Sequence, residues 1–294
     1  MRRPAYLQLG QEALDREYNN REQRPGGGFE AFVERCKRRS ADARSDLTCA
    51  LDISFGPDLE ERLDIFMPDA VLDAPVNIFF HGGYWRASTK EDFSYVAFGG
   101  IPAGIMTVVV NYGLIPSVTM AELIAQCQRS VVWIYSNIRK FGGDPSKLYL
   151  SGHSAGAHIV SMLMCTKWSD LRQDLPADLI KGACAISGIY DLEPVRRSFL
   201  NKTLGFSDAD VTGFSSVALT PVVRCPLLCA VGGDESSEFI RQTEEFAERW
   251  QAHNLDIDMH VLAGKDHFSI REDLGDPGAP MNVLMIKHLE QALS

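Results

Sequence analysis

Short apolar runs alternate with amphipathic segments along most of the chain. Strands are predicted where the runs are β-prone and end in glycine-rich or polar turns. These strands cover residues 47–54, 62–66, 76–80, 105–110, 148–150, 181–187, 226–231 and 257–262. Helical periodicity covers residues 121–139, 155–163, 238–253 and 281–293. Strands that alternate with helices predict an α/β fold with a mostly parallel, eight-stranded sheet flanked by helices.

Two regions depart from this alternation. Residues 1–46 are charged and helix-prone, and the run P-G-G-G at 25–28 divides them, which predicts an N-terminal helical arm with a loop or hinge. Residues 193–221 are polar and irregular with isolated aromatic side chains, which predicts a small cap insertion. The remainder of residues 47–294 is interpreted as a single α/β domain that carries this cap.

Composition and charge narrow the class of protein. The chain has 294 residues, 45% of them hydrophobic, and its formal net charge is −10, which disfavours a nucleic-acid partner. The basic cluster at 35–44 is interpreted as a solvated helix face. Because no secretory signal and no membrane-spanning run is visible, we expect a cytoplasmic protein without a membrane partner. The sequence leaves open whether the chain forms a homodimer.

The cysteine and histidine spacing gives no sign of a metal site or a disulfide framework. The seven cysteines are scattered and odd in number: Cys36, Cys49, Cys127, Cys165, Cys184, Cys225 and Cys229. Several lie in apolar runs and are interpreted as small buried side chains in a reducing compartment. No H-E-x-x-H motif and no paired Cys/His spacing is present, so we expect no metal and no other cofactor.

The stretch K-L-Y-L-S-G-H-S-A-G-A-H at 147–158 carries the strongest chemical signal. An apolar run leads into G-x-S-x-G, formed by Gly152, Ser154 and Gly156, and a helical pattern begins directly afterwards. This context predicts a nucleophile elbow, a strained turn that holds the serine hydroxyl above the sheet. The two glycines are expected where the strand and helix backbones come too close for a Cβ. Ser154 is therefore the predicted nucleophile.

A serine hydroxyl becomes a nucleophile when a base takes its proton and a carboxylate orients that base. His267 follows the last predicted strand, in a loop that can return over Ser154, and is the predicted base. The acid is predicted in the doublet Asp234-Glu235. The spacing from Gly232 favours Glu235, and Asp234 is the alternative. The order serine, acid, histidine is the one that accompanies this type of elbow.

Acyl transfer also needs hydrogen-bond donors for the negative charge that develops on the carbonyl oxygen. The H-G-G run at 81–83 follows a predicted strand, and its glycines can turn their N–H groups inward. The backbone amides of Gly82, Gly83 and Ala155 are therefore the predicted oxyanion hole.

Aromatic side chains near these motifs are candidates for substrate binding. Tyr84, Trp85 and Tyr112 could stack on an aryl group, as could Trp168, but each could equally belong to the core. His153 lies directly beside Ser154 and is interpreted as a packing or hydrogen-bonding residue. We predict that Tyr84, Trp85, Tyr112 and His153 contact the substrate.

These motifs resemble those of α/β-hydrolases, and in particular of the kynurenine formamidase (arylformamidase) group, neighbours of the hormone-sensitive-lipase-like esterases. The segments that match are F-F-H-G-G-Y-W at 79–85, V-N-Y-G-L-I-P at 110–116, S-G-H-S-A-G-A-H at 151–158, I-S-G-I-Y-D-L-E-P at 186–194, S-E-F-I-R-Q at 237–242 and D-H-F-S at 266–269. A glutamate as the acid would differ from the animal members, which use aspartate.

The resemblance implies a serine hydrolase whose substrate is a small aryl amide or ester. N-formylkynurenine or a similar aryl formamide would be cleaved through an acyl-enzyme. A carboxylesterase acting on short-chain acyl esters is the alternative. A non-catalytic α/β-hydrolase that serves as a binding module is disfavoured, because such proteins usually lose a member of the triad and candidates for all three are present here.

Overall fold

The computed structural model describes residues 5–23, 28–69 and 71–294. Its strands are β1 (Cys49–Ser54), β2 (Arg62–Phe66), β3 (Ala74–Phe80), β4 (Met106–Val110), β5 (Gly143–His153), β6 (Ile180–Ile186), β7 (Leu227–Gly232) and β8 (Ile257–Leu262). Its α-helices are α1 (Gln11–Glu17), α2 (Asn20–Gln23), α3 (Phe29–Asp46), α4 (Ala97–Gly100), α5 (Met120–Asn137), α6 (Ala155–Met164), α7 (Trp168–Leu171), α8 (Leu192–Arg197), α9 (Asn201–Leu204), α10 (Asp208–Phe214), α11 (Ser237–Gln251), α12 (Ser269–Glu272) and α13 (Pro280–Leu293). Short 3₁₀ segments lie at Ala5–Gln8, Lys90–Val96, Ile101–Ala103, Ile138–Phe141, Ser216–Ala218 and Asp273–Gly275.

The eight strands form one sheet in the order β1-β2-β4-β3-β5-β6-β7-β8. β2 runs antiparallel to both β1 and β4, and the pairs from β4 to β8 are all parallel. The predicted α/β fold with a mostly parallel, eight-stranded sheet is therefore confirmed. Because the strands from β3 to β8 are parallel, the loops that follow their carboxyl ends all lie at one edge of the sheet.

Helices cover both faces of the sheet. Successive strand residues point to opposite faces, so Ile78 and Phe79 of β3 belong to separate buried clusters. The cluster around Ile78 takes in buried residues of α5, α6 and α11, whereas the cluster around Phe79 takes in buried residues of α3 and α13. The central strands are buried on both sides, which explains their continuous apolar sequences.

The arm packs against the α/β part of the chain through α3. Phe32, Cys36 and Ala43 of this helix are buried. Arg35 pairs with Glu272 at 2.7 Å, and Arg44 pairs with the buried Asp64 at 2.5 Å. The residues at 25–27 of the predicted loop lie outside the described residues.

The basic cluster at 35–44 is only in part the solvated face that the sequence suggested. Lys37 and Arg38 are exposed, but Arg35, Arg39 and Arg44 are half-buried and bonded to the domain. Arg39 donates to the carbonyl of Gly275 at 2.6 Å. The prediction was wrong for these three arginines because they lie on the side of α3 that meets the domain, where acceptors are available.

The predicted cap, residues 193–221, is more regular than its sequence suggested. It holds most of α8 together with α9 and α10, none longer than 7 residues. Helices of two turns or fewer are too short to produce a readable apolar period. The cap contacts the arm: Gln11 donates to the carbonyl of Arg197 at 2.9 Å, and the Phe199 amide donates to Asp15 at 2.7 Å.

Across residues 5–23, 28–69 and 71–294, no helix is both long enough and apolar enough to cross a bilayer. In the same ranges, no group of three or more His, Cys, Asp or Glu side chains is arranged to hold a metal ion. All seven cysteines lie in these ranges and are free, and five of them are buried.

Candidate active site

Ser154 lies on the sharp turn between β5 and α6. Its φ of 58° and ψ of −120° are unfavourable for a residue with a side chain. The surrounding backbone enforces this turn: a Cβ on Gly152 would lie 2.3 Å from the Gly156 carbonyl oxygen, and one on Gly156 would lie 1.9 Å from that of Phe80. The Ser154 amide also donates to Ile186 at 2.8 Å. Both glycines thus occupy the close approaches that the motif predicted.

His267 follows β8 and faces a buried carboxylate. Its Nδ1 lies 2.6 Å from Oε2 of Glu235, whose other oxygen, Oε1, accepts from the Ser187 hydroxyl at 2.5 Å and from the Gly232 amide at 2.8 Å. A carboxylate on Nδ1 assigns the proton to that nitrogen and leaves Nε2 as the acceptor. Asp234, the alternative acid, is exposed, and its amide donates to the carbonyl of Lys265. The carboxylate against the imidazole is therefore that of Glu235.

His153 positions the backbone of His267. Its Nε2–H donates to the His267 carbonyl at 2.8 Å, and the two rings lie 4.5 Å apart. Its Nδ1 is buried and has no partner among the described residues. Burial, with smaller contributions from the neighbouring His267 and Arg271, lowers the pKa of His153 well below its usual value. His153 is therefore a neutral residue that donates from one nitrogen.

The loop after β3 packs against the serine turn. A Cβ on Gly82 would lie 2.9 Å from the carbonyl oxygen of His153 and 3.1 Å from Cβ of Ser154. Gly83 has a φ of +121°, and a Cβ there would lie 2.1 Å from the carbonyl oxygen of Ala87. Only glycine can bring the backbone this close in this conformation. Across the turn, Ala155 begins α6, so its N–H is one of the first four that lack an acceptor within the helix.

His81 and Tyr112 hold this loop from below. The Tyr112 hydroxyl donates to the carbonyl of His81 at 2.6 Å, and the two rings stack with centroids 4.3 Å apart. Burial lowers the pKa of His81 to about 4, so its imidazole is neutral near pH 7. The two side chains support the backbone from which Gly82 and Gly83 extend.

A cavity of about 520 Å³ joins these features, a size within the usual range for small-molecule sites. Ser154 and His267 both line it, although they are 113 residues apart in the sequence. The wall also includes Gly82, Gly83 and His153. The hydroxyl, the imidazole and the glycine loop that the sequence singled out therefore meet at a single cavity.

The structure corrects two of the predicted substrate contacts. Trp85 is fully buried, with its Nε1 3.2 Å from Nδ1 of His158, and it does not line the cavity. Tyr112 is also fully buried beneath the glycine loop and does not line the cavity. Trp168, only 2% exposed, belongs to the core as well. The rings of Trp85, Tyr112 and Trp168 all belong to one buried hydrophobic cluster.

Tyr84 does line the cavity, and it also contacts the arm. Its hydroxyl donates to the backbone carbonyl of Tyr18 at 2.8 Å, and burial raises the pKa of Tyr84. Tyr84 and Trp85 both have positive φ, at 51° and 56°. This unusual backbone sends two neighbouring aromatic side chains to different surroundings, which their identities alone did not reveal.

Several residues of the cavity wall were not among the predicted site residues. The arm supplies Tyr18, Asn19, Asn20, Arg21, Phe29, Val33, Cys36 and Lys37. Phe93, Phe199, Leu200, Phe268 and Arg271 come from later segments. The helical pattern of the arm carries no signal for this role, because a wall residue and an ordinary surface residue look alike in sequence. Arg271 had a weak signal, since it follows His267 by only four residues.

Several known proteins are similar to the chain in sequence. A family model described as BD-FAE matches residues 63–202. A kynurenine formamidase of Danio rerio is 32% identical over 263 residues, which covers 87% of each chain. One of Salmo salar is 31% identical over 88% of each chain. An isoprenylcysteine alpha-carbonyl methylesterase of Arabidopsis thaliana is 28% identical, over 73% of this chain and 55% of the plant protein.

Solved structures share the fold. A putative thioesterase from Silicibacter superposes with a TM-score of 0.80 at 26% identity and covers 93% of this chain and 98% of its own. An esterase from Pyrobaculum calidifontis superposes with a TM-score of 0.71 at 14% identity, over 94% and 98% of the two chains. These likenesses show the fold, and the fish relatives show that the chain is a hydrolase that belongs to the kynurenine formamidase family of α/β-hydrolases.

Proposed function

We propose that the protein is a serine hydrolase that cleaves a small aryl formamide, of the N-formylkynurenine type, through an acyl-enzyme. The observation that carries the proposal is the pair formed by Glu235 and His267, whose atoms lie 2.6 Å apart at the cavity that Ser154 also lines. A nucleophile, a base and an orienting acid are the parts that such a reaction requires.

In the first half of the reaction, Oγ of Ser154 attacks the formyl carbon. Nε2 of His267 accepts the hydroxyl proton as the new C–O bond forms, and the Glu235 carboxylate stabilises the resulting imidazolium. The bonds from Ser187 and Gly232 keep Oε1 of Glu235 occupied, so that Oε2 faces the imidazole. His267 then returns the proton to the leaving amine, and the C–N bond breaks.

The negative charge on the carbonyl oxygen is met by backbone donors. We assign this role to the amides of Gly82, Gly83 and Ala155, on the two sides of the Ser154 turn. One such donor contributes about 3 kcal/mol to transition-state stabilisation. In the second half of the reaction, His267 takes a proton from water, which attacks the formyl-serine ester and releases formate.

The relatives and the cavity support an aryl formamide as the substrate. The similar fish proteins are named kynurenine formamidases, and the cavity wall offers the aromatic rings of Tyr84, Phe93, Phe199 and Phe268. Such rings provide apolar contact for an aryl leaving group. His153 lines the cavity, and its buried Nδ1 has no partner within the described part of the chain, so it is a further candidate substrate contact.

A carboxylesterase for short acyl chains is the second candidate. It is supported by the similarity to a plant methylesterase and to the putative thioesterase from Silicibacter. The two candidates share the chemistry of Ser154 and differ in leaving group and acyl size. They would therefore be separated by substrate preference and not by loss of a catalytic residue.

The test compares kcat/KM for N-formyl-L-kynurenine with that for p-nitrophenyl acetate and butyrate. We expect the formamide to be preferred, whereas an ester preference of about a hundredfold or more would overturn the formamidase assignment. Labelling with a serine-directed fluorophosphonate, with Ser154→Ala as the control, tests the nucleophile separately. A wild-type protein that takes up no label would be a binding module and not a serine hydrolase.

A further inference from the structure

The charge of the cavity wall is opposite in sign to that of the whole chain. The formal net charge is −10, yet the described part of the wall carries four cationic side chains, Arg21, Lys37, Arg86 and Arg271. Asp92 is the one carboxylate among these wall residues, and it accepts from the Thr89 amide at 3.2 Å. A cleft lined with one sign of charge favours ligands of the opposite sign.

Among the described wall cations, Arg271 contacts two aromatic rings, whereas the exposed Arg21 contacts one, that of Phe29 at 4.8 Å. The Arg271 guanidinium lies 4.7 Å from the centre of the Phe32 ring and 4.5 Å from that of Phe93. Cation–π contact with two rings restricts the guanidinium and covers part of it. The other three are less enclosed: Arg21 and Lys37 are exposed, and Arg86 donates to the Thr203 hydroxyl at 2.9 Å.

Among the described residues, the partners of the Arg271 guanidinium are neutral side chains, those of Cys36 and Tyr95. Within the described residues, no carboxylate lies within 4.0 Å of its guanidinium, and its buried Nε has no partner. The contact from Nη2 to Sγ of Cys36, at 3.8 Å, involves a weak acceptor. A guanidinium has five N–H donors in a planar fork that matches a carboxylate. The guanidinium of Arg271 can therefore donate to an anionic ligand.

Arg271 is close in sequence to His267, the residue that is proposed to protonate the leaving group. It belongs to α12, which begins two residues after His267. The pKa values of His153 and His81 are lowered first by burial, and the nearby charge of Arg271 lowers both further. In the proposed reaction His267 delivers its proton to the leaving group, so we expect that group beside the wall that His267 and Arg271 share.

We propose that Arg271 binds a carboxylate on the leaving group and so selects anionic aryl formamides over neutral ones. This inference rests on the proposed function for its substrate class. It assigns Arg271 to specificity, since the proposed reaction at Ser154 uses His267, Glu235 and backbone amides. An amino-acid group attached to the aryl ring supplies such a carboxylate.

The test measures kcat/KM for N-formyl-L-kynurenine and for its carboxamide, which differs by the loss of one negative charge. We expect Arg271→Met to lower kcat/KM for the carboxylate substrate by about 30- to 100-fold, mainly through KM, because a charge-assisted pair is lost. The carboxamide should change by less than about threefold. Arg271→Lys, which keeps the charge and loses the fork, should recover part of the loss.

The matched control is Arg35→Met. Arg35 also stacks on Phe32, at 5.7 Å, and pairs with Glu272 of α12, but it does not line the cavity. If Arg271 merely fixed the arm in place, both variants would lower turnover of both substrates equally. That result, or an Arg271→Met enzyme with unchanged preference for the carboxylate, would overturn the inference.

Calorimetric binding of L-kynurenine and its carboxamide separates this inference from the proposed function. If L-kynurenine binds to the wild-type protein but not to Arg271→Met, the anion site is supported even if the wild-type protein hydrolyses no formamide. Conversely, a wild-type protein that binds L-kynurenine and its carboxamide equally, and that cleaves their N-formyl derivatives equally, leaves the proposed function intact and rejects the anion site.

Discussion

Ser187 donates its hydroxyl to Oε1 of Glu235 at 2.5 Å and thereby leaves Oε2 to His267. Ser187 follows β6 with a φ of 51°, an unfavourable value that aims its side chain across to the loop after β7. The relationship makes Ser187 a positioning residue, because it touches the acid and not the cavity. Residues that follow β6 and β7 thus orient the imidazole of His267, which follows β8.

Ser187→Ala should lower kcat by about tenfold and leave KM nearly unchanged, since one hydrogen bond to a buried carboxylate is lost. Steady-state kinetics of the wild-type and variant proteins are the measurement. A rise in KM without a fall in kcat would show that Ser187 acts on substrate binding instead.

Glu235→Gln should lower kcat by about 10³- to 10⁴-fold, because a neutral amide no longer stabilises the imidazolium or fixes its tautomer. Asp234→Asn is the matched control, since Asp234 is adjacent and exposed. It should keep kcat within about twofold. Mild and equal losses from both changes would mean that another carboxylate orients His267.

Ser154→Ala and His267→Ala should each reduce kcat by about 10⁴-fold or more, and the double variant should lose little beyond that, because the two residues act as a unit. Thermal unfolding should show that both single variants remain folded. Full turnover by either one would remove the proposed mechanism altogether.

Gly156→Ala should destabilise the protein by about 3 kcal/mol or more, because its Cβ would lie 1.9 Å from the Phe80 carbonyl oxygen and would separate β3 from α6. Gly213→Ala is the control. Gly213 lies in α10 with open space around it, so alanine there should stabilise the helix by about 0.5–1 kcal/mol. Urea unfolding measures both. Equal effects would contradict the close approach.

Stability should fall as pH drops from about 6.5 toward 4. Burial lowers the pKa of His81 and of His158 to about 4 in the folded protein, so the unfolded chain binds protons more readily in this window. Each residue could remove at most about 3 kcal/mol. At His158, burial lowers the pKa although the bond from Nε2–H to the Phe214 carbonyl opposes the shift, and Nδ1 accepts from Trp85, which leaves no site for a second proton.

His158→Gln should therefore weaken the dependence of the free energy of unfolding on pH, whereas His253→Gln, at an exposed site, should leave it unchanged. Urea unfolding at pH 5 and pH 7 compares them. If His158→Gln keeps the full slope, acid destabilisation originates elsewhere in the molecule.

The strands and the serine turn could be predicted from sequence because local pattern determines them. The apolar run of β5, the small residues Gly152 and Gly156, and the helical period after them all act within a few residues. The choice between Asp234 and Glu235 depended instead on which side chain the loop after β7 turns inward. Spacing from Gly232 favoured Glu235 without establishing its contact with His267.

The cavity wall could not be predicted, because it joins segments that are distant in sequence. Arg21 of the arm and Arg271 of α12 are 250 residues apart, yet both line the same space. The separation of Tyr84 from Trp85 follows from positive φ at both residues, a backbone conformation that neither side chain favours. Such features follow from tertiary packing and leave no periodic trace in the chain.

The ion pair between Arg35 and Glu272 has a mechanical consequence. It ties α3, which closes part of the cavity, to the four-residue helix that begins two positions beyond His267. The part of the wall that α3 contributes and the short helix after His267 are thus fixed to each other. The arm and the loop after β8 therefore keep one relative position at the cavity.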